Sequence, residues 1–410
     1  MKKHLFSLLV ALVATASSLP MAAQEAYAVL TEADSTLTFY YDNLRSTRTG
    51  TKYDVPTTGA TPDWAGDLTT PQEKIKHAVF DVSFSDYRPT STSYWFRCCV
   101  KLQDIKDIRN LNTENVIDMS FMFEQCISLT SLDLTGFNTA NVTDMTRMFF
   151  NCSSLESLDL SNFNTANVTR MRSMFNFCSS MASLNLSSFN TEKVTDMYGM
   201  FNRCSSLTSL DLTGFNTANV TDMIGMFSEC RSLVSLNFTN FNTANVTTMM
   251  GMFYGCSSLE SLNLTNFNTI NVTNMNSMFY GCRSLASLNL TNFNTANVTN
   301  MGRMFYSSRS LTTIYCNDDW SKGGKVENHS DMFSFCPKLK GAGAEFDSNK
   351  TGIEMANPTT GYFTAKTTGI DPVTVAGKVG DGKIYDLSGR QVSKNYKGVV
   401  VTNGRKILQR

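Results

Sequence analysis

Leu129 to Asn151 reads LTSLDLTGFNTANVTDMTRMFFN, and close copies of it follow at a fixed interval of 26 residues. Cysteines mark the beat at Cys126, Cys152, Cys178, Cys204, Cys230, Cys256 and Cys282. Phe137, Phe163, Phe189, Phe215, Phe241, Phe267 and Phe293 each precede an Asn-Thr pair. A constant period over this length means one supersecondary unit stacked on itself, which predicts a solenoid rather than a compact globule.

Within one unit, Leu129, Leu132 and Leu134 have the LxxLxL spacing that places a short strand on one face of a leucine-rich repeat. Val142, Met145, Met148, Phe149 and Cys152 recur at helical spacings, and Thr143 stands where an N-cap belongs, so short helical turns are expected to close each coil. The expected fold class is therefore α/β: a leucine-rich-repeat solenoid of about ten coils, with a parallel sheet on one face and short helical turns on the other. Neither face can bury itself alone, so stacking should gather Leu, Phe, Met and Cys into continuous rows.

The repeats align with one another, and their differences are informative. Met181 and Phe238 replace leucines, and Ser308 takes a cysteine position, all swaps suited to a core. Between the leucines the residues stay small and polar: Ser131, Ser157, Ser183, Ser209, Ser235, Ser261 and Ser287 in one row, Asp133, Asp159, Asn185, Asp211, Asn237, Asn263 and Asn289 in the next. On a parallel sheet these rows face solvent. Ser131, Asp133, Ser157, Asp159, Ser183, Asn185, Ser209, Asp211, Asn237, Asn263 and Asn289 are the candidate binding surface. The opposite side varies freely, as at Thr146-Arg147, Tyr198-Gly199 and Met250-Gly251.

The 410 residues carry 35 basic and 35 acidic side chains, a formal net charge of zero with no basic excess to suggest nucleic acid. Lys2 and Lys3, the apolar run Leu5 to Ala14 and the small residues at Met21-Ala22-Ala23 have the layout of a secretory signal peptide, assigned to 1–23. No later stretch approaches the roughly 20 apolar residues of a membrane helix. Residues 24–74 lack the repeat, and Tyr27 to Leu30 with Leu37 to Tyr41 read as a hairpin forming a β cap. The array is assigned to 75–340, a C-terminal cap to 341–366, a linker to 367–382 and a β-hairpin module to 383–410. In that module Asn403-Gly404 between two alternating runs is a hairpin signal. The 11 cysteines raise the question of a disulfide framework. Seven share one core position, and stacked side chains point the same way whereas a bridge needs opposed ones, so free buried thiols are expected.

The repeat text SLxSLxLxxFNTxNVTxMxxMFxxC resembles the BspA-like leucine-rich repeat family of bacterial surface and secreted proteins, over roughly Ile75 to Cys336. That resemblance implies cell-surface attachment, binding to extracellular matrix or other host proteins, contact between bacteria in some members, and no catalytic residues. Ile384-Tyr-Asp-Leu-Ser-Gly-Arg-Gln-Val and Gly398 before a final hairpin are similar to the C-terminal sorting domains of type IX secretion substrates, which implies the secretion machinery as a partner. It departs from that family's usual Gly-Ile-Tyr-Ile ending by having Gly398-Val-Val-Val.

The chain has three histidines, His4 in the expected signal peptide, His77 before the first coil and His329 in the last, and the array repeats none of them, so no Ser-His-Asp or Cys-His arrangement can be built on repeat positions. No enzyme activity and no cofactor are expected. The Asp133, Asp159 and Asp211 row offers oxygen ligands for a cation such as calcium, but Asn fills much of that row and such spacers are ordinarily solvated, so no metal is assigned. Sequons such as Asn141-Val-Thr143 recur for a structural reason, their amides and hydroxyls bonding the backbone where the strand turns. The expected function is that of a secreted or surface-exposed monomer that binds large extracellular proteins. The alternative is a glycan-binding surface protein or carbohydrate-enzyme accessory, for which Tyr198, Tyr254, Tyr280 and Tyr306 are the aromatic candidates.

Overall fold

The computed structural model describes residues 23–322 and 325–366, together with four short strands between 384 and 409. The expected signal peptide, up to residue 22, and the linker at 367–382 lie outside the described residues, as does the Asn403-Gly404 turn. Contacts divide the chain into two units, Met1–Thr364 and Ala365–Arg410.

The first unit opens with β1 (Glu25–Thr31) and β2 (Thr36–Asp42), an antiparallel pair, and β3 (Thr51–Asp54) adds to the outer side of β1. The pairing then changes sense. β4 (His77–Phe80) runs parallel to β2, with Phe39 opposite Phe80, and β5 (Asp104–Lys106) runs parallel to β4. The β2 edge is thus covered by the first coil instead of being left open. Beneath the sheet Phe39 stacks on Phe80 with ring centroids 4.5 Å apart and on Trp95 at 5.6 Å, while the Trp64 indole Nε1 donates to the Trp95 carbonyl at 2.6 Å.

Beyond β5 the chain winds as stacked coils. Three-residue parallel strands form on the leucine side at β6 (Ser157–Asp159) with β7 (Ser183–Asn185), and at β8 (Ser287–Asn289) with β9 (Thr313–Tyr315). β10 (Phe363–Thr364) pairs with β9 and sets Phe363 opposite Ile314. A more regular ladder runs on the other edge: single parallel bridges link Ser91, Asp118, Asp144, Arg170, Asp196, Asp222, Thr248, Asn274, Asn300 and Asn328 in succession.

The expected helical turns are not present; this part of the α/β reading is corrected. Among the described residues the helices are short 3-10 turns at Arg45–Thr47, Val82–Asp86, Ile108–Asn110 and Ile353–Met355, none of them in the segment after Val142 or its copies. Instead the segment after Val142 is a chain of tight turns. Met148, Phe150 and Cys152 donate three residues back, to Met145, Arg147 and Phe149, while the alternate donors Met145, Arg147, Phe149 and Asn151 bond Arg170, Arg172, Met174 and Asn176 of the next coil. Arg147 and Asn151 sit at φ of 54° and 55°, in the left-handed region, which re-aims the chain every four residues. The physical reason is spacing. An α-helix is about 10 Å across, whereas coils joined by backbone hydrogen bonds repeat at one strand spacing, about 4.8 Å, so helices cannot stack in this register. Thr143 is correspondingly no helix cap: its N–H and its hydroxyl both donate to the Ile117 carbonyl one coil back, at 2.9 and 3.1 Å.

The interior is built from rows. Phe123, Phe149, Phe175, Phe201, Phe227, Phe253, Phe279, Phe305 and Phe333 stack with centroids 5.4 to 5.8 Å apart. A second row, Phe189, Phe215, Phe241 and Phe267, follows at 6.3 to 6.5 Å. The eleven cysteines are buried and unbridged. Each repeat thiol donates to a phenylalanine carbonyl of the preceding coil, Cys152 to Phe123 and Cys204 to Phe175 at 3.2 and 3.1 Å, and Ser308 does the same to Phe279 at 2.7 Å. The position therefore needs a small donor, which explains why serine replaces cysteine there. The Asn-Thr corner is a further ladder: the buried Thr139 hydroxyl donates to the Asn164 carbonyl and accepts from the Asn164 N–H, and Thr165, Thr191, Thr217, Thr243 and Thr269 repeat the pattern. At the far end Tyr362 and Phe363 are fully buried, with both rings edge-on to Phe333.

The second unit is a four-stranded sheet in the order β12 (Gln391–Val392), β11 (Ile384–Asp386), β13 (Gly398–Thr402), β14 (Arg405–Gln409), antiparallel at every pairing.

Candidate binding surface

The sequence-chosen residues lie where the leucine-side strands run. Ser131, Asp133, Ser157, Asp159, Ser183, Asn185, Ser209, Asp211, Asn237 and Asn263 are exposed, and Asn289 is half-buried. The acidic and amide row also has a local task. Oδ1 of Asp133, Asp159, Asn185, Asp211, Asn237, Asn263 and Asn289 accepts the backbone N–H two residues on, at 2.9 to 3.2 Å. A carboxylate and an amide oxygen serve this turn equally, which accounts for the free exchange of Asp and Asn along the row. The bonds favour the charged form: the Thr135 hydroxyl holds Asp133 below the usual carboxylate range, and the Ser161 and Thr213 N–H groups do the same for Asp159 and Asp211. Among the described residues no group of three or more His, Cys, Asp or Glu is placed to hold a metal.

The turn side is different in character. Four variable rows run along it, at the two left-handed positions of each coil and the residue before each. Near the start it is charged and aromatic. Glu124, wholly buried, is held by Arg97 at 2.7 Å and Arg147 at 3.1 Å, and the Arg147 guanidinium lies 4.0 Å from the Phe150 ring centroid. Arg172 lies 3.8 Å over the Tyr198 ring. Further along, Tyr254, Tyr280 and Tyr306 form a half-buried stack with centroids 4.5 and 4.8 Å apart, and the exposed Phe335 abuts its end edge-on at 5.1 Å. A cavity of about 390 Å³ lies beside this stack, lined by Glu229, Arg231, Gly255, Ser257, Gly281 and Arg283 as well as two of the tyrosines. A second, of about 280 Å³, lies on the other side of Tyr254, with Tyr198, Asn202, Ile224, Gly225, Met250 and Gly251 in its walls and floor.

Tyr198, Tyr254, Tyr280 and Tyr306 were legible as candidates on this side. Asn202, Arg231, Arg283 and Gly225 join them only in the structure; the signal that points to them is the variability between repeats at Tyr198-Gly199 and Met250-Gly251. His77 pairs with Asp104 across β4 and β5 at 2.7 Å, and the thiols are ill suited to nucleophilic work: burial raises Cys178, Cys230 and Cys282 to about 12.

The sequence matches the family described as "Mycoplasma protein of unknown function, DUF285" in three overlapping stretches, residues 90–186, 151–237 and 230–346. The chain belongs to this family. The matched stretches begin and end within the stacked coils or just past them. Among curated proteins no relative matches. Among solved structures the chain is similar to a leucine rich cell surface protein of Faecalibacterium prausnitzii A2-165, with 18% identity over 82% of this chain and 99% of that one and a TM-score of 0.37. A leucine-rich repeat protein of Eubacterium ventriosum follows, with 14% identity over 81% and 98% and a TM-score of 0.34. A leucine-rich repeat protein of T. pallidum shares 17% identity over 63% and 86%, with a TM-score of 0.25.

Proposed function

We propose that this protein is a non-enzymatic, surface-displayed repeat protein that holds large extracellular proteins against the side of its array. The supporting observation is the row of exposed Asp and Asn side chains from Asp133 to Asn263 on the leucine side, each fixed by a hydrogen bond from the backbone N–H two residues on. About ten coils at one strand spacing each give a face roughly 45 to 50 Å long, which suits a macromolecular partner. Its hydrogen-bonding groups are held by the coil backbone, so a partner does not have to order them on binding. Residues 1–23 would direct export, and the module at 383–410 would act as the address read by a type IX machinery. Cell-surface display, which the BspA-like repeat text and the named neighbour from Faecalibacterium suggest, fits this reading.

The test is solid-phase binding of the full chain to immobilised fibronectin, laminin, fibrinogen and collagen. Saturable binding that falls when Asp133, Asp159 and Asp211 are changed together to lysine is expected. Absence of binding to every member of the panel, or binding indifferent to the triple substitution, overturns the leucine-side reading. The glycan alternative is favoured by one feature, the tyrosine stack with its two flanking cavities.

A further inference from the structure

On the turn side, five successive coils place Gly199, Gly225, Gly251, Ser277 and Arg303 at one left-handed position, with φ between 55° and 58°. Arg147 and Ser173 occupy the same position at 54° and 53°, so the backbone here does not demand glycine. Nor does crowding at two of the three: a Cβ on Gly225 would meet nothing nearer than Ser228 Cβ at 3.6 Å, and on Gly251 nothing nearer than Tyr254 Cβ at 3.6 Å, whereas on Gly199 it would press on the Asn176 amide nitrogen at 3.2 Å. What three consecutive glycines do is leave a floor without side chains, and that floor is the base of the cavity of about 280 Å³.

The walls of this groove carry mixed chemistry. Tyr254 stacks on Tyr280 with one face, and one coil earlier in its row stands Ser228, too short to cover the other face. Asn202, one coil earlier again, lines the same cavity. Tyr254 also borders the neighbouring cavity of about 390 Å³, where Arg231, Arg283, Ser257 and Glu229 supply donors and acceptors. An open aromatic face with amide, hydroxyl and guanidinium side chains along a narrow trough matches a pyranose ring, which offers a C–H face for the ring and hydroxyls at its rim. A folded partner would ride on the Tyr254–Tyr280–Tyr306 ridge and leave both troughs unfilled. A slim sugar chain can lie in them.

We infer that the trough floored by Gly199, Gly225 and Gly251 and walled by Tyr254 and Asn202 is a carbohydrate-binding site for a chain of pyranose sugars. It extends across Tyr254 towards Arg231 and Arg283. This site is separate from the leucine-side face, and neither reading depends on the other.

Calorimetric titration of the full chain with cellohexaose, maltohexaose, xylohexaose and chitohexaose tests it. At least one of these sugars should bind, and Tyr254→Ala and Gly225→Arg should each weaken it about tenfold or more, roughly 1.4 kcal/mol, while both variants keep the circular dichroism spectrum of the folded array. Gly225→Arg fills the floor with the residue already tolerated at Arg147. If that variant fails to fold, Gly225→Ser, matching Ser173 and Ser277, carries the test with a smaller loss. The Asp133, Asp159 and Asp211 triple variant should bind sugar normally, which separates this outcome from the matrix-protein assay. Failure of all the hexasaccharides to bind, or equal binding by Tyr254→Ala and Gly225→Arg, overturns the inference.

Discussion

At the scale of single residues, the repeat keeps a side chain where a polar atom must reach the neighbouring coil. Cys204 is such a position, its thiol held 3.1 Å from the Phe175 carbonyl in a wholly apolar surround. Cys204→Ser should leave the melting temperature nearly unchanged, as Ser308 already does the same work, while Cys204→Val should cost about 0.5 to 1.5 kcal/mol by removing one of the two hydrogen bonds the Phe175 carbonyl accepts, the other coming from the Cys178 N–H at 3.2 Å. Chemical denaturation of both variants checks this. The thiols also make stability depend on alkaline pH. Burial raises the folded pKa of Cys178, Cys230 and Cys282 from 9.0 to about 12. The protonated form is thus the folded one: the contribution is complete below pH 9, where unfolded thiols keep their protons, and is lost as pH rises through the folded value. Between those limits each buried thiol should lower unfolding free energy by up to about 1.4 kcal/mol per pH unit. Changing Cys178 and Cys230 to Ser should flatten the fall in melting temperature above pH 9, and an unchanged slope would count against free thiols in the core.

At the scale of the element, the unit is a strand-like leucine side, a threonine corner and a run of turns, with no helix. Far-UV circular dichroism of the full chain should therefore lack the helical double minimum; a strong helical spectrum would contradict the turn ladder. The left-handed positions supply a second check. Gly225→Val puts a β-branched side chain at φ of 57° and should be destabilising by about 1 to 3 kcal/mol, whereas Gly225→Asn should be tolerated. The strand pattern was legible because LxxLxL alternation is local. The turn run is not legible in the same way, because Met145, Met148, Phe149 and Cys152 have helical spacings whether the chain coils as a helix or turns every four residues. Periodicity reports which side chains point inward, not which carbonyl each N–H finds.

At the scale of the molecule, each coil is stable only through its neighbours. Phe215 stacks between Phe189 and Phe241 at 6.3 and 6.4 Å, so Phe215→Ala should cost about 3 to 5 kcal/mol. The coils on either side should loosen with it, seen as faster amide exchange around Phe189 and Phe241. Exchange confined to the mutated coil would mean that coupling between coils is weak. The contact division near Thr364 gives a further expectation, that a chain ended at Thr368 keeps the melting transition of the array while surface display is lost. A lowered transition with normal display would make the C-terminal module a structural part instead of an address.

The sequence by itself determined the repeat, its period, the identity of the inward rows and the exposure of the Ser and Asp/Asn spacers, because all of these follow from periodicity and polarity within one unit. It also marked Tyr254, Tyr280 and Tyr306 as exceptions on the other side. Only the tertiary structure decided that the closing segment is turns, since the choice depends on hydrogen bonds from Met145, Arg147, Phe149 and Asn151 to a coil whose residues are about 25 positions away. It likewise decided that Gly199, Gly225 and Gly251 form one floor and that Tyr254 divides two cavities. A groove along the stack is made of single residues from successive coils, and their adjacency exists only once the coils are stacked at the spacing their backbone bonds impose.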